Sequence, residues 1–273
     1  MPGLTAPDGT ALVYDAYEPA APRAAVLVIH GWSDHARRYA WLGERLRDAG
    51  LAAYTIDLRG HGRSGGQRAH LSRFSQLLGD LQAFRRDVRR QRDLPQVLLG
   101  HSFGGLVVLR YLETQPSVAP AAAVVSGPFL GLPYAAPAWK LILSRVLADL
   151  WPTARLPIDL DVEHLSRDAA CNAAYLSDPA VHGVMTPGAW QEIRWAQQAV
   201  VADAARIECG VQFLLAGEDR IADAHLARAF AGGLRSPTDV RWYPEMYHEV
   251  FNDPQREQVV GDVLGFLTTR GIA

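Results

Sequence analysis

Six short apolar runs punctuate the chain, at 25–30, 52–57, 96–100, 122–126, 211–216 and 239–243, and four of them run straight into His30, Asp57, Gly100 or Ser126. Runs this short and this evenly apolar are strands buried on both faces, because a strand with one wet face alternates instead. Helical patterns separate them at 38–49, 72–92, 103–114, 222–232 and 254–270. That alternation predicts an α/β architecture, a mostly parallel central sheet with helices on both faces, whose chemistry sits at the carboxyl ends of the strands. Residues 11–18 alternate weakly and are expected to form an edge strand.

With 273 residues, the chain has room for one large domain, or for a smaller one carrying an insertion. The stretch 129–206 breaks the rhythm and is far longer than the dozen or so residues a crossover needs. It holds an amphipathic helix at 137–150, with Trp139, Ile142, Leu143, Val146, Leu147 and Leu150 at helical spacing, and a second helix at 187–203. A mainly helical cap over the sheet's carboxyl edge is therefore expected at 129–206, with 1–128 and 207–273 as the catalytic domain. Two meanings of the first helix's apolar face stay open. It packs as the cap's own core, or part of it lines a substrate tunnel or makes transient contact with a membrane surface.

Composition removes several classes of function. A chain 49% hydrophobic with its glycines and prolines dispersed is not disordered, and a net charge of -2 without a long basic segment does not suit nucleic acid. The arginines at 85, 86, 89, 90 and 92 read as a solvated helix face, with anionic lipid as the alternative. Cys171 and Cys209 are expected to be inert thiols rather than a disulfide framework. The first residues lack the features of a signal peptide and no window reaches about 18 uncharged apolar residues, so a soluble, cytoplasmic protein is expected. No cluster of His, Cys and carboxylates has metal-ligand spacing, and neither a metal nor an organic cofactor is implied.

The sharpest local signal is Gly100-His101-Ser102-Phe103-Gly104-Gly105, between a strand and a helical pattern. A serine on such a turn takes a strained conformation at a helix N-terminus, while the glycines let helix and strand approach. Serine needs a base, and on this topology an acid and then a histidine must follow it in the chain. Asp219 follows the fifth run and His248 the sixth. Glu218 and Asp223 compete for the acid's role, but Asp223 is placed to cap the next helix. The oxyanion of a tetrahedral intermediate needs two N–H donors, one after the nucleophile at Phe103 and one from the loop after the first run, at Trp32. His30 is expected to brace that loop. Arg59, His61 and Arg63 are expected to hold a folded glycine-rich loop.

The segments HGWSDHARRY at 30–39, DLRGHGRSGGQR at 57–68 and GHSFGG at 100–105 resemble the α/β-hydrolase superfamily, and within it the monoacylglycerol lipase and lysophospholipase-like branch. The likeness extends to AGEDRIAD at 216–223 and YHEVFND at 247–253. It implies an α/β-hydrolase fold with Ser102 as nucleophile, Asp219 as acid, His248 as base, and Trp32 and Phe103 as oxyanion donors. Two positions depart from the branch. Asp34 stands where Glu is frequent, and Trp32 where many members carry a small residue, so its indole is expected to narrow the substrate pocket. Trp139 and Leu143 are the cap residues expected to touch substrate. The resemblance implies hydrolysis of monoacylglycerol or a similar single-chain ester through an acyl-enzyme, with a lipid ester as the small-molecule partner. A short-chain carboxylesterase, a thioesterase or a lysophospholipase is the alternative, and a ligand-binding module on a hydrolase scaffold is the non-enzymatic one.

Overall fold

In the computed structural model, which describes residues 2–114, 119–135 and 137–273, the six apolar runs form six neighbouring parallel strands. The strands are β1 (Gly3–Thr5), β2 (Ala11–Tyr17), β3 (Ala25–Ile29), β4 (Ala52–Ile56), β5 (Gln96–His101), β6 (Ala122–Ser126), β7 (Leu156–Pro157), β8 (Val184–Met185), β9 (Val211–Ala216) and β10 (Thr238–Tyr243). Eight of them make one sheet in the order β1-β2-β4-β3-β5-β6-β9-β10, parallel from β4 to β10. The two-residue strands β7 and β8 pair separately.

The sixth run departs from expectation, for β10 is the sheet's other edge and leaves Val240 and Arg241 exposed. The other five are buried throughout, and their continuous apolar character has a direct cause. Ala25, Leu27 and Ile29 point into one core with α2 (Phe74–Gln91), α3 (Phe103–Thr114) and α7 (Ala224–Gly233), whereas Val26 and Val28 point into a second core with α1 (Ala40–Asp48) and α8 (Arg256–Thr268). Successive side chains leave a strand on opposite faces, so both sets must be apolar. At about 1.5–3 kcal/mol per buried Val, Leu or Ile, this double burial fixes the register.

β2 forms where alternation was read, but it is not the edge. Gly3–Thr5 pairs antiparallel outside it, a three-residue strand too short to carry a periodic signal. Arg85 also departs from expectation: it is buried, donating to Gln96 Oε1 at 3.0 Å and to the Tyr111 hydroxyl at 2.9 Å. One turn from Leu81 and Val88, it shares their inward face, while Arg86, Arg89, Arg90 and Arg92 stay exposed. Cys171 and Cys209 are free thiols, and burial pushes Cys209 up to about 11.

Between β6 and β9 the insert supplies α4 (Ala138–Leu150), α5 (Ala169–Ser177) and α6 (Pro187–Ala202). Thr186 starts α6 by accepting from the Ala189 N–H at 3.2 Å, with Pro187 at the first turn. Ala189, Ile193, Ala196 and Val200 of α6 then join the same core as α3. α4 differs, for it buries no residue, and Trp139, Ile142, Leu143, Val146 and Leu150 are 45–78% exposed. Its stripe is therefore not the insert's own core. Among the described residues, no helix is long and apolar enough to cross a membrane.

Candidate active site

Ser102 stands in the tight turn between β5 and α3 at φ +53°, a left-handed conformation costly for a residue with a Cβ. Backbone bonds hold it there. Its N–H donates to the Ser126 carbonyl at 2.8 Å, and its own carbonyl accepts from Phe129 and Leu106 at 3.0 and 3.2 Å. Gly104 makes the turn fit, since a Cβ there would strike the carbonyl oxygens of Ile29 and His30. Phe103 opens α3, so its N–H lies outside the helical ladder and is free to serve a ligand.

The loops after β9 and β10 bring an imidazole to the same edge. His248 Nδ1 donates to Asp219 Oδ2 at 2.7 Å, both side chains almost wholly buried. Asp219 Oδ1 accepts from the N–H groups of Ile221 and Ala222 at 2.9 and 2.8 Å, which fixes the carboxylate from its own loop. Burial alone would lower the His248 pKa. The charge and hydrogen bond of Asp219 outweigh it, with help from Glu249 and Asp34, and the ring titrates above the ordinary 6.5. Burial pushes Asp219 the other way, yet His248 and the two N–H donors hold it below the usual carboxylate range. His101, tilted against His248 at 4.8 Å between ring centroids, is kept neutral by burial and by that neighbour, down to about 4.

After β3, His30 braces the loop to Gly31 and Trp32: its Nδ1 donates to the Gly31 carbonyl at 2.7 Å, and Nε2 accepts from the Leu58 N–H at 2.9 Å. Gly31 lies so close to Ser102 that a Cβ there would sit 3.3 Å from the serine Cβ. The Trp32 indole packs edge-on against Phe103 at 5.1 Å. Gly31, Trp32 and Phe103 open on one cavity of about 1030 Å³, shared between sheet domain and insert. Ser102, His101, Asp219 and His248 line its floor, and Leu141, Ile158 and Trp190 line it from the insert. That volume lies at the upper end of small-molecule sites.

A family model described as serine aminopeptidase, S33, matches residues 20–255. A monoacylglycerol lipase from Mycolicibacterium smegmatis is 33% identical over 266 residues, covering 96% of this chain and 94% of that protein. The chain belongs to the monoacylglycerol lipase-like α/β-hydrolases. Phospholipase YtpA from Bacillus subtilis is 28% identical over 87% of this chain and 92% of its own. The crystal structure of a monoacylglycerol lipase from Paleococcus ferrophilus matches with a TM-score of 0.86 at 28% identity, over 95% of this chain and 99% of that one.

Within this α/β-hydrolase, Ser102, Asp219, His248, Trp32 and Phe103 converge on the cavity. Glu218 is exposed, and Asp223 caps α7 by accepting from the Leu226 N–H at 2.9 Å. Trp139 and Leu143 do not line the cavity, which Lys140, Leu141 and Ser144 reach from the same helix. The apolar stripe and the inward face of α4 differ by a rotation about its axis, and spacing alone gives no origin for that rotation. Arg59 and Arg63 brace their loop, Arg59 through Asp80 at 2.6 Å and Asp8 at 2.7 Å, Arg63 through Asp57 at 2.6 Å and Asp15 at 2.7 Å.

Sequence reading missed a buried charge network under the site. Arg38 grips Glu249 through two bonds of 2.8 and 2.7 Å and reaches Asp34 at 3.1 Å; Asp34 also accepts from the Tyr39 hydroxyl at 2.9 Å. Glu249 follows His248 directly, so the network ties the loop of His248 to the loop of Trp32. Arg38 and Asp34 lay inside the quoted motif, but their partner stands more than two hundred positions away. Burial disfavours ionised Glu249, and the Arg38 charge and hydrogen bonds reverse that, holding its pKa below the ordinary value. Such a lowered carboxylate stabilises the fold above its unfolded pKa and loses that contribution as pH falls through the folded one. Arg38→Met strands two buried carboxylates and is expected to cost about 3–5 kcal/mol at pH 7. Denaturant titrations across pH check this: the gap to wild type should narrow in acid, and equal stabilities at pH 7 would refute the network's role.

Proposed function

We propose that the protein is a serine ester hydrolase acting on monoacylglycerol or a similar single-chain acyl ester, with residues 129–206 as the cap that selects the chain. The observation that carries this is a serine in a left-handed turn at a helix N-terminus, sharing one large cavity with a buried His248–Asp219 pair. The kinship with monoacylglycerol lipases at 33% and 28% identity supports the substrate class.

Ser102 Oγ attacks the ester carbonyl as His248 Nε2 takes its proton, and the N–H groups of Trp32 and Phe103 receive the negative oxygen. The tetrahedral intermediate collapses to an acyl-enzyme when the imidazolium protonates the departing alcohol. Water then attacks the acyl carbon, giving up its proton to His248, and Ser102 recovers its own as the fatty acid leaves. Asp219 stabilises the imidazolium throughout.

Ser102→Ala should abolish turnover of glycerol monoesters and labelling by a fluorophosphonate in a protein that unfolds like wild type; retained turnover refutes the assignment. Relative rates over a chain-length series of glycerol monoesters, lysophospholipids and acyl-thioesters identify the preferred ester. A lysophospholipid preference would favour the activity suggested by the phospholipase relative.

The base must be neutral to accept the serine proton, so kcat/KM should rise with pH along a limb centred above 6.5, because Asp219 raises the His248 pKa. Asp219→Asn is expected to move the limb to lower pH and reduce kcat by about 10⁴-fold. An unmoved limb would exclude His248 as the titrating group.

The exposed stripe of α4 fits contact with a lipid surface, since a contiguous apolar patch is costly in water and Lys140 and Arg145 supply little charge. Ile142→Glu should reduce co-sedimentation with neutral phosphatidylcholine vesicles while sparing turnover of a soluble short ester. Unchanged sedimentation would refute the contact.

A further inference from the structure

The loop that carries Trp32 is fastened to one short stretch of the insert. Trp32 Nε1 donates to the Val184 carbonyl at 3.1 Å, and the Tyr175 hydroxyl donates to the Ser33 carbonyl at 3.4 Å. Ser33 Oγ lies 3.3 Å from His182 Nδ1, and His35 Nε2 lies 2.9 Å from Asp178 Oδ2. All four partners fall within 175–184, from the last turn of α5 to the first residue of β8. The Trp32 ring also meets the His182 ring edge-on at 5.9 Å.

Ser33 stores strain between these contacts. It has φ +60° and is wholly buried, and a residue with a Cβ keeps that conformation only where its surroundings over-determine it. Downstream the chain cannot give, because Asp34 and Tyr39 are locked in the buried charge network. Upstream lie Trp32 and then Gly31, which has no side chain to resist rotation. Relaxation at Ser33 must therefore be absorbed by the residues that aim the Trp32 N–H.

We propose that residues 175–184 are a positioning element for the oxyanion site: Tyr175, His182 and the Val184 carbonyl hold the Trp32 N–H on target, so the insert governs the chemical step as well as the fit of the chain. The inference rests on the serine-hydrolase reading above and adds a cause of rate to it. An oxyanion donor is worth about 100 to 1,000-fold in turnover, and a displacement of about 1 Å is enough to forfeit much of that.

The test uses the full chain, with His182→Ala, Tyr175→Phe and the double variant. p-Nitrophenyl acetate is the substrate, since its two-carbon acyl group is too short to draw on the insert's apolar lining. An alkyl boronic acid, which forms a tetrahedral adduct with an active-site serine, reports oxyanion binding. His182→Ala is expected to lower kcat for the acetate about 10- to 100-fold with KM within about twofold, and to weaken the boronic acid by a similar factor. His182→Asn, which keeps a nitrogen near the Nδ1 position, should recover part of both. Ser33→Gly guards against misfolding, because glycine accepts the left-handed backbone without strain: with nothing to relax, His182→Ala should cost kcat less in a Ser33→Gly background than in wild type, with no loss of thermal stability. Folded variants that match wild type on acetate and boronic acid, and lose only KM for long-chain esters, would overturn the proposal. A wild-type chain inert to both ester and fluorophosphonate would overturn the serine-hydrolase reading and this inference with it.

Discussion

The approach of α3 to β3 and β5 sets everything else in this molecule. Only hydrogen at Gly104 clears the carbonyls of Ile29 and His30, and only hydrogen at Gly100 clears the Gly104 carbonyl. The helix therefore starts against the ends of two central strands, and Ser102 is forced into its left-handed turn beside Gly31. Ser102, the helix N-terminus and the loop of Gly31 and Trp32 become neighbours because two backbones touch. Had either glycine carried a methyl group, the helix would have to lift off the sheet, and the cavity floor would open.

Around that contact the protein manages buried charge by pairing. His248 lies wholly buried, where burial by itself would leave it neutral and weakly basic. Asp219 reverses this, and the two backbone donors on Asp219 keep its charge in place in turn. The Arg38–Glu249–Asp34 group does the same work one residue further on, at a desolvation cost that only close, multiple bonds offset. It also joins the loops after β3 and β10, so His248 and the loop of Trp32 share a support.

The sequence was most legible where one local rule decided the outcome. Strands covered on both faces carry few polar positions, so 25–30, 52–57, 96–100, 122–126 and 211–216 stood out, whereas 239–243 was read the same way although β10 is an edge strand with Val240 and Arg241 exposed; the turn at Ser102 was visible because glycine spacing and helix start coincide in six residues. Legibility failed where the partner is remote or the signal short. Glu249 gave no hint of Arg38, Gly3–Thr5 is too short for a period, and Arg85 looked like its solvated neighbours although its helix angle turns it toward Gln96. In α4 the stripe at Trp139, Ile142, Leu143, Val146 and Leu150 was correctly periodic, but periodicity identifies an apolar face and not what covers it.

The insert is where these two levels of legibility meet. α6 is anchored, burying Ile193 and Val200 in the core that also receives α3, while α4 buries nothing. α6 is thus continuous with the core of the sheet, whereas α4 borders the cavity and is held through α6, where Gln191 Nε2 donates to Ser144 Oγ at 3.1 Å. The stretch 175–184 lies between α4 and α6 in the chain, and it is the part bonded to the loop of Trp32, Ser33 and His35. α4 makes none of those bonds, so if 175–184 positions the Trp32 N–H as proposed, that role belongs to the middle of the insert and not to the helix that borders the cavity.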